Sequence, residues 1–382
     1  MAQRTCVLVL GDLRAAVPTT VQPFAGIDRF VQERGLAWDL IVEPRPPALR
    51  SKTGGFDAII GRLTAPAAAL ARRHRLPLVN TWTSSPVRGV PAVMADHEAA
   101  GRMAAEFLVE RGLRRLVYVG ANLRFSQLLA KGMREAAKSL RAEYADTRES
   151  WWFDRDAASF DRFMKRINRL VASLQPPVGL LAFDDFTARY VVRACADHGL
   201  AVPGDVFVLG LTNNVIACLH PPPALSSIDL NLELVGYQAA KLLADLLAGK
   251  PPPGQPILVP PLGVVPRQST DHYVSGDDAV SQALRFISAH HAGPLRIGQI
   301  ARHVATSERT LQRRFVAAVG HSVVREILLQ RVRRAKQLLV DTDRLVKQIA
   351  RECGFPDSQR FCRTFQRIEG MSPMAYRRRY TG

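Results

Sequence analysis

Along the first 270 residues, short apolar runs rich in β-branched side chains alternate with longer stretches of helical period. The runs TCVLVLG from Thr5, FDAIIG from Phe56, LPLVNT from Leu76, RLVYVG from Arg115, VGLLAFDD from Val178 and VFVLGLT from Val206 each stop at a turn or polar residue. Short apolar runs bounded in this way predict buried strands. Between them, HEAAGRMAAEFLVERG from His97 and DFTARYVVRACADHG from Asp185 space their apolar residues as amphipathic helices do, with Gly112 and Gly199 as C-caps.

Strands alternating with helices build parallel sheets covered on both faces, and the length fits two such halves. The expected fold class is therefore α/β in two lobes. Ligands of such sheets sit beyond the carboxyl ends of the strands, so the residues that follow the runs are candidate effector contacts: Asp12, Asp184, Asp185, Thr212 and Asn213. Asp185 has a second reading, as an acid placed at a helix N-terminus by the helix dipole. From Lys250 the sequence KPPPGQPILVPPLGVVP is too rich in proline for a helix or a central strand, and predicts an irregular segment closing this domain. The boundary falls near Asp277, which gives domains of residues 1–276 and 277–382.

Everything after the boundary is helical in pattern, and it repeats. QIARHVATSERTLQRRFVAAVGHS from Gln299 aligns with QIARECGFPDSQRFCRTFQRIEGMS from Gln348 once a single residue is inserted in the turn. Each copy predicts a helix, a tight turn and a second helix, the arrangement whose second helix can lie in a DNA major groove. The stretch SVVREILLQRVRRAKQLLV joins the copies as one long helix. In the first copy Leu311, Phe315 and Val319 form the inward stripe, leaving Arg309, Gln312, Arg313 and Val316 outside; in the second Phe361, Phe365 and Ile368 point in, and Gln359, Arg360, Arg363 and Arg367 point out. Arginine pairs bidentately with guanine and glutamine with adenine, so two such strips in register predict a base-reading surface where one alone would pass as a solvated face.

Composition sharpens this picture. The 382 residues carry 52 Lys plus Arg against 34 Asp plus Glu, a formal charge of +18. Residues 279–382 hold 20 against 7, or +13, which leaves +5 for everything before them. Basicity is concentrated on the repeat, as an anionic partner such as nucleic acid requires. No apolar run approaches the ~18 residues of a membrane span, and CVLVLG reads as a buried first strand in place of a signal peptide. The five cysteines are scattered, without the spacing of a zinc site or a disulfide framework, which suits the cytoplasm. No nucleophile elbow, Walker loop, HExxH helix or CxxC pair is present, so neither catalysis nor a cofactor or metal is expected. A nonspecific nucleoid protein would account for the charge but not for the large front domain.

Residues 279–382 resemble the DNA-binding domain of AraC-type transcription regulators, down to CGFPDSQRFCRTFQRIEGMSPMAYRRR, which is similar to that family's C-terminal signature. The resemblance places Arg309, Gln312, Arg313, Ser358, Gln359, Arg360 and Arg363 at base- or phosphate-facing positions. It gives structural roles to Gly354, Phe355, Phe365, Gly370, Pro373 and Tyr376. Pro356 stands where the family carries a small or polar residue, which implies a shifted start for that helix. The front domain resembles the sugar-sensing domain of LacI-type repressors, itself similar to periplasmic binding proteins, through MADHEAAGRMAAEFLVERGLRRLVYVG and PPPALSSIDLNLELVGYQAAKLLADLLAGK. A LacI-like sensor ahead of an AraC-like reader is the order of the xylose-operon activator family, and GVVPRQSTD fits it too.

That family implies a two-lobed periplasmic-binding-protein-like domain followed by an all-α domain with two helix-turn-helix motifs. It also implies a homodimeric cytoplasmic activator of carbohydrate genes that takes a sugar between its lobes and works with RNA polymerase. Asp185 matches the acid that accepts sugar hydroxyls in the relatives, whereas Thr212 replaces an aspartate and Leu129 an arginine. The expected pocket is thus less polar than a xylose site, with Asp185 and Asn213 as its main polar contacts and Trp82, Trp151 or Trp152 available to stack on a sugar face. The alternative is a degenerate sensor kept for dimerisation or protein contacts.

Overall fold

The computed structural model describes residues 4–13, 18–44, 55–147, 157–271, 277–342 and 344–381. Trp151 and Trp152 lie outside the described residues.

The chain begins with β1 (Thr5–Leu10), α1 (Pro18–Glu33), β2 (Trp38–Glu43), β3 (Ala58–Gly61), α2 (Ala65–His74), β4 (Leu78–Asn80) and β5 (Val93–Ala95). The first four strands pair in parallel in the order β2-β1-β3-β4, with Val7 opposite both Leu40 and Ala58. A parallel bridge from Asn80 to Ala92 carries the sheet on towards β5. Four of the six β1 residues and all four of β3 are buried, as strands covered on both faces must be.

The second lobe opens with α3 (His97–Val109), β6 (Arg115–Val119), α4 (Arg124–Ser139), β7 (Glu143–Thr147), α5 (Ala157–Ser173), β8 (Val178–Ala182) and α6 (Asp185–Asp197). It continues through β9 (Val206–Leu211), α7 (Val215–Leu219) and β10 (Ser226–Asp229). Asp96 caps α3 by accepting from the amide of Ala99 at 2.9 Å. Gly112 and Gly199 take the left-handed φ expected of helix ends, but α3 and α6 are capped earlier, at Glu110 and His198.

The chain then returns to the first lobe with α8 (Leu232–Leu247), crosses through β11 (Ile257–Val259) beside β5, and ends the sensor with β12 (Gly263–Val265) beside β10. The second sheet reads β12-β10-β9-β8-β6-β7, and its β12 runs antiparallel. The proline-rich segment is irregular over most of its length, as its composition predicts, but it also supplies a three-residue strand beside β5 and another beside β10, with its prolines outside both.

Paired helices in each lobe approach through glycines. A Cβ on Gly236 of α8 would lie 1.8 Å from the carbonyl oxygen of Pro23 in α1, and one on Gly26 would lie 1.9 Å from that of Glu233. In the second lobe Gly101 of α3 faces Leu129 at 2.1 Å, and Gly132 of α4 faces Glu98 at 2.0 Å. The two lobes thus solve the same packing problem in the same way.

The remaining helices are α9 (Asp278–His290), α10 (Ile297–His303), α11 (Glu308–Val319), α12 (Val323–Asp341), α13 (Val346–Glu352), α14 (Ser358–Glu369) and α15 (Pro373–Thr381). They enclose two small cores. Val280, Leu284, Ile287, Ile300, Leu311 and Phe315 pack with Val323 and Ile327 from the start of α12. Val332, Ala335 and Leu339 from the end of α12 pack with Ile349, Phe361 and Phe365. One helix of 19 residues, about 28 Å long at ~1.5 Å per residue, therefore belongs to both halves and fixes their relation.

Candidate DNA-reading surface and effector cleft

Helices α11 and α14 are each 12 residues long, and they start 50 positions apart (358 − 308). Ser307 caps the first through the amide of Thr310 at 3.2 Å, and Asp357 caps the second through that of Arg360 at 2.7 Å. Pro356 lies one residue before the cap and does not displace the start of the helix. Preceding helices α10 and α13 start 49 positions apart (346 − 297), so the extra residue falls in the turn. There Ala305 has φ 50° and Gly354 has φ 77°. A side chain at Gly354 would also meet the carbonyl oxygen of Ala292 at 2.8 Å, which leaves glycine as the residue that fits.

Leu311 and Phe315 are fully buried, as are Phe361 and Phe365, while Val319 and Ile368 are half-buried against the same cores. Arg309, Gln312, Arg313 and Val316 are exposed on α11, and Gln359, Arg360, Arg363 and Arg367 are exposed on α14. Ser358, the first residue of α14, is half-buried. The signature's structural residues shape the fold: Phe355 is buried, Gly370 ends α14 at φ 73°, and Tyr376 meets Phe365 edge-on at 5.5 Å between ring centroids. Each helix thus offers solvent a strip of arginine and glutamine on a rigid apolar base.

At the carboxyl ends of the sensor strands the candidate residues separate. Asp185 is 1% exposed, and its oxygens accept from Ser227 Oγ at 2.6 Å, the amide of Asn214 at 2.7 Å and Thr212 Oγ1 at 3.2 Å. Gly210 leaves room for it, since a Cβ there would stand 2.1 Å from Oδ1. Burial pushes the Asp185 carboxyl up to about 7 against those three donors. This geometry gives Asp185 an internal task, tying the segment after β9 and strand β10 to the start of α6. Thr212 and Asn213, at φ 89° and 52°, are held in that strained turn, and Asn213 Oδ1 accepts from Arg267 Nη2 at 2.8 Å.

Asp184 is half-buried beside it and caps α6 through the amide of Thr187 at 2.6 Å, with its carboxyl raised by burial. Asp12 follows β1 and is half-buried. Leu129 is fully buried in the core. At the junction of the lobes the amide of Phe125 donates to Ser84 Oγ at 3.3 Å, and Thr83 Oγ1 lies 3.4 Å from His97 Nδ1. The His97 ring packs on Phe125, and burial holds its imidazole down at about 4, so it is neutral there.

Sequence reasoning missed Arg62. It follows β3 directly, its guanidinium stands 4.9 Å from the centre of the Trp82 ring, and it borders a cavity of about 20 Å³ shared with Gly11, Thr20 and Thr81. The rule of inspecting the residue after each strand would have found it.

A model of the periplasmic binding protein-like domain matches residues 105–270, and one of a helix-turn-helix domain matches residues 300–379. The xylose operon regulatory protein of Haemophilus influenzae is 28% identical over 366 residues, covering 93% of this chain and 94% of that protein. Over nearly its whole length the chain is thus similar to a xylose operon regulatory protein, with a periplasmic-binding-protein-like domain ahead of a helix-turn-helix domain. The chain is also 34% identical to the xylose operon regulatory protein of Escherichia coli K12 over 213 residues, 55% of this chain and 54% of that one. Its fold matches the solved structure of the xylose-binding transcription activator xylR with a TM-score of 0.66 at 24% identity, all of both chains being covered. The sensor part matches a transcriptional regulator CelR–cellobiose complex with a TM-score of 0.56 at 21% identity, over 70% of this chain and 86% of that one.

Proposed function

We propose that the regulator activates carbohydrate-related genes, taking a sugar or sugar derivative between the lobes of residues 1–276 and reading DNA with residues 277–382. The observation that carries this reading is the pair of 12-residue helices, each with an exposed arginine and glutamine strip, fixed to the two ends of one connecting helix. In it Arg309, Gln312 and Arg313 contact one major groove, and Ser358, Gln359, Arg360 and Arg363 the next. Effector binding favours one closure state of the lobes, and the state favoured sets the DNA geometry the reader accepts. Asp12, Asp184 and Asn213 border the effector, and Asp185 holds the loop of Asn213.

The regulator acts in the cytoplasm as a homodimer that engages RNA polymerase. Support for a second copy comes from Phe186, Val215 and Ile216, exposed apolar residues at the starts of α6 and α7 that would gain from cover. Among the described residues no helix is long and apolar enough to cross a membrane. A second reading, in which the sensor has lost its ligand and serves dimerisation, draws on the inward turn of Asp185. To test the proposal, the purified full chain is mixed with fragments of its own genome, and the bound DNA is sequenced with and without candidate sugars. Enrichment of a few intergenic sites that a sugar strengthens or weakens fits the effector reading. Enrichment that no sugar alters fits the dimerisation reading, and even coverage of the genome contradicts both.

A further inference from the structure

Among the described residues Arg62 is a cation without a counter-ion, held in place by its neighbours. Its backbone is fixed: the amide of Arg62 donates to the carbonyl of Leu10 at 3.0 Å, and Gly61 before it, at φ 123°, lies so close to β1 that a Cβ would stand 2.4 Å from that same oxygen. The aromatic floor under the guanidinium is fixed as well. Asn80, 1% exposed, accepts from the amide of Trp82 at 3.0 Å and donates to its carbonyl at 3.1 Å.

Other arginines of the sensor spend their donors on the fold. Arg189 donates to the carbonyls of Pro221 and Pro223 at 2.7 Å, Arg267 to Leu225 at 2.9 Å, and Arg111 to Thr270 at 3.0 Å. The Arg62 guanidinium has no such partner and no ion pair among the described residues, and none of its nitrogens is sealed from solvent. Burial alone lowers its pKa, with no neighbouring carboxylate to oppose the shift. A half-buried, preorganised cation of this kind gains most from an oxyanion, which a planar guanidinium can bind through two hydrogen bonds.

We propose that the effector is an anionic carbohydrate, a sugar acid or sugar phosphate, whose oxyanion is received by Arg62 above Trp82. The inference rests on the sensor reading above and names the class of ligand for it. Thr212 fits the same class, because it stands where an acid would repel the anion.

The test is a thermal-shift and calorimetry series on the full chain with D-xylose, D-glucose, D-gluconate, D-glucuronate, glucose 6-phosphate and ribose 5-phosphate. At least one anion should bind ten-fold or more tightly than the neutral sugars, carboxylates and phosphates being told apart by which arm responds. Arg62→Met should remove that preference, and Arg62→Lys should keep part of it. If a neutral sugar binds as tightly as the anions, or no anion binds at millimolar concentration, the proposal fails, even should Arg62→Met not fold. Specific DNA binding is measured on the same samples. Its loss would strike at the regulator reading, and its retention with a neutral effector would strike only at the anion.

Discussion

Arg314 of the first reading helix grips both carboxylate oxygens of Asp277, its Nη2 standing 2.6 Å from Oδ1 while Nε reaches Oδ2. Asp277 is also the N-cap of α9, accepting from the amides of Ala279 at 3.0 Å and Val280 at 3.2 Å. One side chain therefore joins the entry of the helical domain to the helix that carries the first reading strip. Arg314 reaches Asp277 while Arg313 beside it is left to solvent, so the ion pair fixes how α11 presents its outer face.

Removing that link should loosen the domain. Asp277→Ala is predicted to cost about 1 kcal/mol for the lost cap, and more for the lost ion pair, seen by calorimetry of the full chain. Arg314 holds the Asp277 carboxyl below its ordinary value. Its contribution is thus present above the usual carboxylate range and is lost as the pH falls through the lowered pKa. Asp277→Asn, which keeps a capping oxygen, should lie between wild type and alanine.

The glycine contacts give a second prediction. Gly236→Ala must part α1 from α8, because the new methyl would stand 1.8 Å from a backbone oxygen. A loss of about 1 to 3 kcal/mol in urea unfolding of the sensor is expected, as for overpacked cores. Gly254, with nothing within 4 Å of a built Cβ, serves as the control and should tolerate alanine. Equal stability of the two variants would show that the helices separate at no cost.

Two buried groups give the sensor a pH dependence of opposite sign. Asp185 has a folded pKa of about 7, raised from 3.8, so its protonated form favours folding and its contribution falls as the pH rises through 7. His97, held at about 4 against 6.5, makes stability rise with pH over that interval. The two oppose one another up to about 6.5; beyond that the effect of Asp185 continues until it levels off above its folded pKa of about 7. Thermal unfolding between about pH 6.5 and 8 should thus weaken the wild-type sensor more than Asp185→Asn, and identical slopes would remove the assignment.

The strands that could be read from the sequence were those with continuous apolar runs, β1, β3, β4, β6, β8 and β9. Others gave no such signal for physical reasons. Edge strands β2 and β7 are half-exposed, and β5, β11 and β12 are only three residues long. β10 is buried while polar: Ser226 and Ser227 are fully covered, their hydroxyls satisfied by Arg267, Thr270 and Asp185. The reading helices were legible because a repeated stripe fixes which face is free. That Asp185 also ties two loops together was not legible, because a sequence shows that an acid follows a strand, not that three donors surround it. Arg62 was hidden as one basic residue among 52.

The most direct test of the two-helix reader is methylation protection of guanines on a selected operator, with wild type, Arg313→Ala, Arg360→Ala and Arg325→Ala. Wild type should protect two clusters of major-groove guanines about one helical turn, roughly 10 bp, apart in each half-site. Arg313→Ala should expose one cluster and Arg360→Ala the other, each at about 1 to 3 kcal/mol in affinity, while Arg325→Ala, exposed at the start of the connecting helix, leaves both in place. A single protected cluster, or one cluster lost to both substitutions, would contradict a reader in which α11 and α14 occupy successive grooves.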